Sequence, residues 1–496
     1  MARRSYATAA ERRQEVAEAE TADYCRAMST ASNAEIDAAC EAFAQEHNLP
    51  GLLAGVVQDG RLIHVAVVGQ ADIEAGRPVT PETAFRIASM TKNMTALAIL
   101  ALRDRGKLVL DAPLAEYVPQ FAAVAPATRD SQPVSLRHLL CHTAGFVTDD
   151  PWADRVLGMT PAALDALIAG GTLFARPPGL AFEYSNLGYA LLGRVIGNVS
   201  GEPYQAFIRR TFLEPLGMAR TTFDALQAQR GDYAFGYRLD DEAWSRERIE
   251  PDGEVGAMGG LVTTAADYAR WVAFLLSAWP ARDDPETGPV RRASVREMGL
   301  WHGPPFLSEV VDGQAALASA YGYGLVNAVD PVLGRRLHHS GGLPGYGSHV
   351  LMLPQRGWGV FAFANRTYSP MSRLTPRLAA IRHAAAPRLA SAEPSLFLKC
   401  AVDAVVAAYA SGRIEVAERA FAENFLLDTP ARLRNAELAG LKDRLGEATL
   451  ERIEPRHGLA ANFTLACERG RLKGVVILSP DPEPGIQKLT LTIEQT

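Results

Sequence analysis

What constrains this chain most is where its strand-like runs fall. Two lie near the start, at residues 52–58 and 61–68, joined by Asp59-Gly60, a dipeptide suited to a tight hairpin. The next group, at 323–326, 336–339, 347–353 and 359–364, begins only beyond Tyr321. The long stretch between them reads mainly as helices and loops. One antiparallel sheet, built from both ends of a unit with a mainly helical insert, satisfies that distribution and predicts an α+β fold. A helix at 34–47, with Ile36, Cys40, Phe43 and Ala44 on one side, precedes the hairpin; another at 373–383 follows the last strand.

Within the insert, residues 83–87 read as strand-like and 90–105 as a helix ended by Gly106. Met94, Leu97, Ala98, Ala101 and Leu102 form one apolar face of that helix. Further helices are predicted at 136–141, 161–169, 186–199, 203–212 and 265–278, the last capped by Thr264 and packed through Tyr268, Trp271, Val272 and Leu275. The charged, turn-rich run 240–254 predicts a surface excursion, and 281–290 a loop. The chain therefore divides into a polar arm (1–30), the main domain (31–385), a linker (386–394) and a small α+β domain (395–496). In that last domain helices are expected at 395–410 and 414–423, and strands at 449–453, 462–467, 473–479 and 488–493. It contains no acid–base constellation, which leaves packing, homodimer formation or shaping of the main site as its open roles.

A net charge of −6 argues against a nucleic-acid footprint. The five cysteines (25, 40, 141, 400, 467) are odd in number and include no C-x-x-C pair, against a disulfide framework or a zinc knuckle. The first 28 residues lack the apolar core of a secretory signal, and no run of 18 apolar residues occurs. As written the chain is expected to be cytoplasmic with no membrane segment; removal of an upstream signal would make it periplasmic.

Three short motifs carry chemistry. Ser89 and Lys92, three apart at the start of a helix, sit side by side with Cβ atoms roughly 5–6 Å apart. A serine hydroxyl becomes a nucleophile when a base takes its proton, and a lysine serves once burial or a positive neighbour lowers its pKa from about 10.4. The first helical turn also directs backbone N–H groups at an oxyanion. Alone, S-x-x-K is more often a helix cap than a catalytic pair. Tyr184 and Asn186 follow a Pro-Gly turn and enter the next helix. A tyrosine beside an ammonium has its anion favoured and can exchange protons, while Asn186 offers an amide to a substrate; a core tyrosine with an Asx cap fits the same residues. Lastly, His339-Ser340-Gly341-Gly342 ends a strand. Gly341 lets a substrate backbone approach the edge, and the Gly342 N–H is a candidate oxyanion donor. His338 and His339 face opposite ways and make no metal pair; HExxH is absent, and no metal or cofactor is expected.

Taken in order, S-x-x-K, Y-x-N and H-x-G across residues 89–342 resemble the serine β-lactamase and penicillin-binding-protein-like hydrolases. That group includes class C β-lactamases, D-Ala-D-Ala carboxypeptidases, D-aminopeptidases and β-lactamase-like esterases. The stretches Leu139-Leu-Cys-His-Thr-Ala-Gly145, Gly259-Gly-Leu-Val-Thr-Thr-Ala-Ala-Asp267 and Gly341-Gly-Leu-Pro-Gly345 also look familial, and the resemblance covers roughly residues 32–385. It implies a β-lactamase/transpeptidase-like sheet flanked by helices. It further implies that Ser89 is acylated, that Lys92 and Tyr184 share the acid and base roles, that Asn186, His339 and Gly341 bind substrate, and that the Ser89 and Gly342 amides form the oxyanion hole. His142 lies in one of the familial stretches without an assigned role.

One departure matters. His339 stands where many β-lactamases carry the lysine of K-T-G. A largely neutral histidine anchors a carboxylate less well than a permanent cation. The expectation is thus a serine hydrolase acting through an acyl-enzyme on a small-molecule or short-peptide substrate, an ester, amide or D-amino-acid peptide, with weak β-lactam hydrolysis at most. The alternatives are a penicillin- or peptide-binding protein with slow turnover, and an acyltransferase or macrocyclase using an amine acceptor.

Overall fold

The computed structural model describes residues 32–171, 173–308, 316–385 and 393–494, so the expected arm (1–30) and most of the linker lie outside the described residues. The chain forms two compact units, divided at Pro387/Arg388.

The first unit is built on the expected sheet. Helix α1 (32–46) leads into β1 (Gly51–Gln58) and β2 (Arg61–Asp72), joined by Asp59 (φ 50°) and Gly60 (φ 75°), both left-handed as a type I′ hairpin requires. The short β3 (Arg77–Pro78) extends that edge. After the insert come β4 (Phe306–Leu307), β5 (Ala318–Tyr321), β6 (Val326–Asp330), β7 (Gly334–Leu343), β8 (Tyr346–Leu353) and β9 (Trp358–Ala364). The order is β3-β2-β1-β9-β8-β7-β6-β5-β4, antiparallel throughout. The N-terminal hairpin is stitched to the C-terminal strands through Leu52↔Ala364 to Gln58↔Trp358.

The central strands are covered on both faces, which is why β1, β8 and β9 read as almost unbroken apolar runs. Leu52, Ala54 and Val56 turn to one side and pack with Ile36, Cys40 and Phe43 of α1 and with Leu374 and Leu378 of α5 (Met371–Ala385). Leu53 and Val57 turn to the other, into the core of the helical insert. Two helices of that insert matter for the site, α2 (Lys92–Asp104) and α3 (Asn186–Ser200). With α4 (Ala265–Leu276), capped as expected by Thr264 Oγ1 accepting from Asp267 N, they form its centre.

Several expectations are corrected. The stripe Met94/Leu97/Ala98/Ala101/Leu102 is buried, but so is every residue from Lys92 to Leu102; α2 is a central helix with no solvent face over that span. Of 323–326 only Val326 lies in a strand, as the first residue of β6. Residues 323–325 make the turn between β5 and β6, where Gly324 (φ 71°) lies so close to the start of α2 that a Cβ would come within 2.8 Å of the Lys92 carbonyl. Of 83–87, Phe85–Arg86 pairs with Val262–Thr263 and Ala84 makes an isolated bridge to Tyr233. The 240–254 run starts inside a small hairpin, Tyr237–Asp240 with Ala243–Arg246, whose tip is exposed, but Glu247 and Glu250 beside it are buried.

The second unit packs α6 (Leu396–Ser411) and α7 (Ala431–Leu445) on a four-stranded antiparallel sheet, β10 (Ala448–His457), β11 (Ala460–Cys467), β12 (Gly470–Leu478) and β13 (Ile486–Ile493). The four strands agree with expectation. The 414–423 helix is a 3-10 turn over Ile414–Ala420, and α7 was not expected, because Leu438 and Leu445 are its only fully buried apolar anchors.

Candidate active site

Ser89 lies one turn earlier than a regular helix would put it. Ala88 takes φ 48°, an unusual conformation for a residue with a side chain, and residues Ala88–Thr91 form a 3-10 turn before α2 begins at Lys92. The turn is held from outside the helix. Ile87 N donates to the Leu261 carbonyl (3.0 Å), Leu261 N donates to Thr91 Oγ1 (3.2 Å), and Ser348 Oγ donates to the Ile87 carbonyl (2.7 Å). Gly341 supplies the room: a Cβ there would fall 2.4 Å from the Ile87 carbonyl and 2.3 Å from Ser348 Oγ. Gly341 therefore packs beneath the nucleophile turn, whereas its neighbours Ser340 and Gly342 line the cavity.

Lys92 is fully buried, and its Nζ donates to Ser89 Oγ (2.9 Å), Asn186 Oδ1 (2.7 Å) and the Met258 carbonyl (2.9 Å). Three donors meet three acceptors, which accounts for the whole ammonium. Burial lowers its pKa to about 8, against the opposing pull of Asp150, Asp154 and Asp149. Asn186, also fully buried, is occupied at both ends: Oδ1 accepts from Lys92 and Nδ2 donates to Asp150.

Position 186 opens α3, yet the cap is Ser185, whose Oγ accepts from Gly188 N (3.3 Å). The Asp149 carboxylate completes that end by accepting from Asn186 N and Leu187 N, both at 2.7 Å.

Tyr184 lines the same cavity as Ser89, and its ring stands 4.9 Å from Lys92 Nζ. Its titration runs opposite to expectation. Burial first and the Asp150 charge second push its pKa well above the ordinary phenol value, and the nearby Ser89 hydroxyl only partly offsets this. Tyr184 is a neutral phenol.

His339 is buried, and its Nδ1 lies 2.5 Å from the Ser340 carbonyl, which can only accept; Nδ1 thus carries the proton, and Nε2 accepts from Tyr321 OH (2.7 Å). Burial, then the Lys92 charge, lower its pKa to about 3. It is neutral with both nitrogens engaged. His338 faces away, towards His349 (Nδ1 to Nε2, 3.3 Å), as strand alternation requires.

A cavity of about 530 Å³ opens onto Ser89, Tyr184, His339 and Gly342. Its described lining includes two carboxylates, Asp150 and Asp154, and no lysine or arginine. Asp154 accepts from Tyr368 OH (3.0 Å), and burial followed by the Asp150 charge raises its pKa to about 7. Asp149, Asp150, Asp154, Tyr321 and Tyr368 carry no distinguishing sequence pattern. Asp154 sits in a 3-10 turn (Ala153–Arg155) and the other four on loops or strand ends, and only the fold brings them to the site. Among the described residues no cluster of His, Cys, Asp or Glu could hold a metal ion.

The remaining groups fall into one constellation: Ser89, Lys92, Tyr184 and Asn186 are linked directly or through one another, and His339 and Gly342 face them across the cavity. A beta-lactamase family model matches residues 36–385. Esterase EstB of Burkholderia gladioli is 30% identical over 373 residues, covering 68% of this chain and 92% of that protein. Protein flp of Staphylococcus aureus (strain NCTC 8325 / PS 47) is 28% identical over 349 residues, or 70% of this chain; the match spans 66% of the relative's own length. In fold, the chain is similar to the octameric penicillin-binding protein homologue from Pyrococcus abyssi, with a TM-score of 0.60 and 23% identity over 91% of this chain and 96% of that one.

Proposed function

The chain belongs to the beta-lactamase family, and from that premise we propose that it is a serine hydrolase that acylates Ser89 with an uncharged ester or amide. The observation that carries this reading is the Ser89–Lys92 pair, 2.9 Å apart with the lysine fully buried. Once Lys92 loses its extra proton, Nζ takes the Ser89 proton as Oγ attacks the acyl carbon. With a pKa of about 8, roughly a tenth of Lys92 is neutral at pH 7, far more than for an exposed lysine.

Tyr184, a phenol at rest, gives its proton to the departing alcohol or amine; the phenolate then takes a proton from the attacking water, and Lys92 returns its proton to Ser89 Oγ as the acyl–oxygen bond breaks. Asn186 keeps Lys92 aimed at Ser89. The Ser89 amide, among the first helical N–H groups without an intrahelical partner, and the Gly342 amide receive the oxyanion. Gly341 acts through the nucleophile turn and not by touching substrate.

Charge selects the substrate. His339 offers no cation and no free donor, and Asp150 and Asp154 lie in the lining, so a substrate carboxylate meets repulsion where a lysine would attract it. An ester with an uncharged leaving group fits better than a carboxylated β-lactam or a peptide with a free C-terminus. The similarity to an esterase over 92% of that protein supports the same choice.

The test is hydrolysis of a short-chain activated ester, a chromogenic cephalosporin and a D-Ala-terminated peptide, with Ser89→Ala alongside. Ester turnover abolished by Ser89→Ala, at a kcat/KM at least about a hundredfold above the carboxylated substrates, is expected. Preference for a carboxylated substrate would overturn the charge argument, and turnover by Ser89→Ala would overturn the nucleophile.

A further inference from the structure

His142 is buried, lies behind Tyr184 away from the reacting atoms, and holds Tyr184 from three directions. The imidazole packs against the phenol ring at 4.3 Å between centroids, tilted by 35°. Its backbone carbonyl accepts from Glu183 N (2.8 Å), and its Nδ1 accepts from Ser185 N (3.2 Å). The backbone amides of the residues before and after Tyr184 are thus pinned to one residue, which also covers the ring between them. His142 sits in the left-handed region at φ 54°, and this lets a single residue present carbonyl, ring and Nδ1 to the same strand of chain.

The acceptor role of Nδ1 fixes the tautomer: the proton is on Nε2, and that buried atom has no hydrogen-bond partner among the described residues. A buried donor left unpaired lowers stability, so a histidine is a poor choice here for packing alone. Tyr321 packs edge-on against the same imidazole (4.5 Å, 71°) and donates to His339, so the ring also meets the opposite wall of the site.

We propose that His142 is a positioning residue for catalysis, fixing Tyr184 so that its hydroxyl stays turned to the cavity it shares with Ser89. It touches no reacting atom and acts through Tyr184. The inference rests on the role given to Tyr184 above. Burial keeps the imidazole neutral, because it and the nearby Lys92 charge lower the pKa well below the ordinary value; the residue contributes geometry and no proton.

A double-mutant cycle on the full chain tests this, read by two measurements: ester hydrolysis, and the rate at which a fluorophosphonate labels Ser89 by intact mass. His142→Asn keeps an acceptor near Ser185 N and tolerates the left-handed backbone, but removes the ring. His142→Phe keeps a ring and removes the acceptor.

With Tyr184 intact, both variants are expected to fold and to label at least about tenfold more slowly, with kcat reduced and KM within about twofold. In a Tyr184→Phe background, where the hydroxyl is already gone, His142→Asn is expected to cause no further loss. Equal losses from His142→Asn with and without the Tyr184 hydroxyl would overturn the proposal, as would an unchanged labelling rate in both single variants. Failure of the proposed function reads differently: Ser89→Ala would still be labelled, or Tyr184→Phe alone would cost nothing.

Discussion

Lys92 shows how burial produces function at the scale of one residue. Removing its ammonium from water lowers the pKa to about 8, and three carboxylates nearby limit the drop. Acylation at Ser89 is therefore expected to rise with pH through about 8, as the pH profile of kcat/KM will show. Asp154→Asn removes one of the charges that holds the Lys92 proton, so that limb should move to lower pH. The same variant should alter stability. In the folded chain Asp154 keeps its proton up to about 7, whereas the unfolded chain releases it near the ordinary value of 3.8. Between those values the folded state binds more protons, and stability falls as pH rises. Denaturation across pH 4–7 should show a shallower fall in Asp154→Asn. The motifs that carry Ser89, Lys92 and Tyr184 are legible in the sequence because each is local. The protonation state of Tyr184 is not, because burial and the Asp150 charge, both supplied by distant parts of the chain, outweigh the lysine beside it.

Elements act on the site through close approach. The strand β7 passes directly under the nucleophile turn, and Gly341 is the point of nearest approach. Gly341→Ala should lower stability by about 1–3 kcal/mol, the usual cost of overpacking. It should also slow Ser89 labelling, because the Ile87 carbonyl that must move belongs to the turn that carries Ser89. A variant that is destabilised but labels at the native rate would show that the turn absorbs the strain elsewhere. Leu97→Ala, in the fully buried middle of α2, is expected to cost about 2–5 kcal/mol in chemical denaturation. Periodicity found α2, α3 and α4 because apolar spacing and caps are written locally. It could not show that α2 is buried all round, because Thr91, Asn93 and Thr95 look like a solvent face. Inside, Asn93 Oδ1 accepts from Trp271 Nε1 and Thr95 Oγ1 donates to the Ala257 carbonyl, while Asn93 Nδ2 has no hydrogen-bond partner among the described residues.

For the whole molecule, the placement of strands at both ends of the first unit made the sheet legible before any motif was weighed. The hairpin 51–72 could pair only with strands that come after the insert, and β9 supplies that partner. The loops carrying Asp149, Asp150 and Asp154 were not legible, because their position follows from the packing of the entire insert. The second unit has its own apolar core around Leu398, Val402, Phe463 and Val476. A chain ending at Pro387 should accordingly fold and still label at Ser89, measured by denaturation and intact mass; loss of labelling in a folded product would give residues 388–496 a part in the site. Among the described residues no helix is long and apolar enough to cross a membrane.

The central claim is that Ser89 carries the acyl group between two chemical steps. Rapid acid quenching of the enzyme with an activated ester, followed by intact mass and peptide mapping, tests it most directly. The account predicts an adduct of the acyl mass on the peptide containing Ser89, formed and lost at rates consistent with turnover and absent from Ser89→Ala. Turnover without any adduct on that peptide, or an adduct that persists in Ser89→Ala, would contradict it.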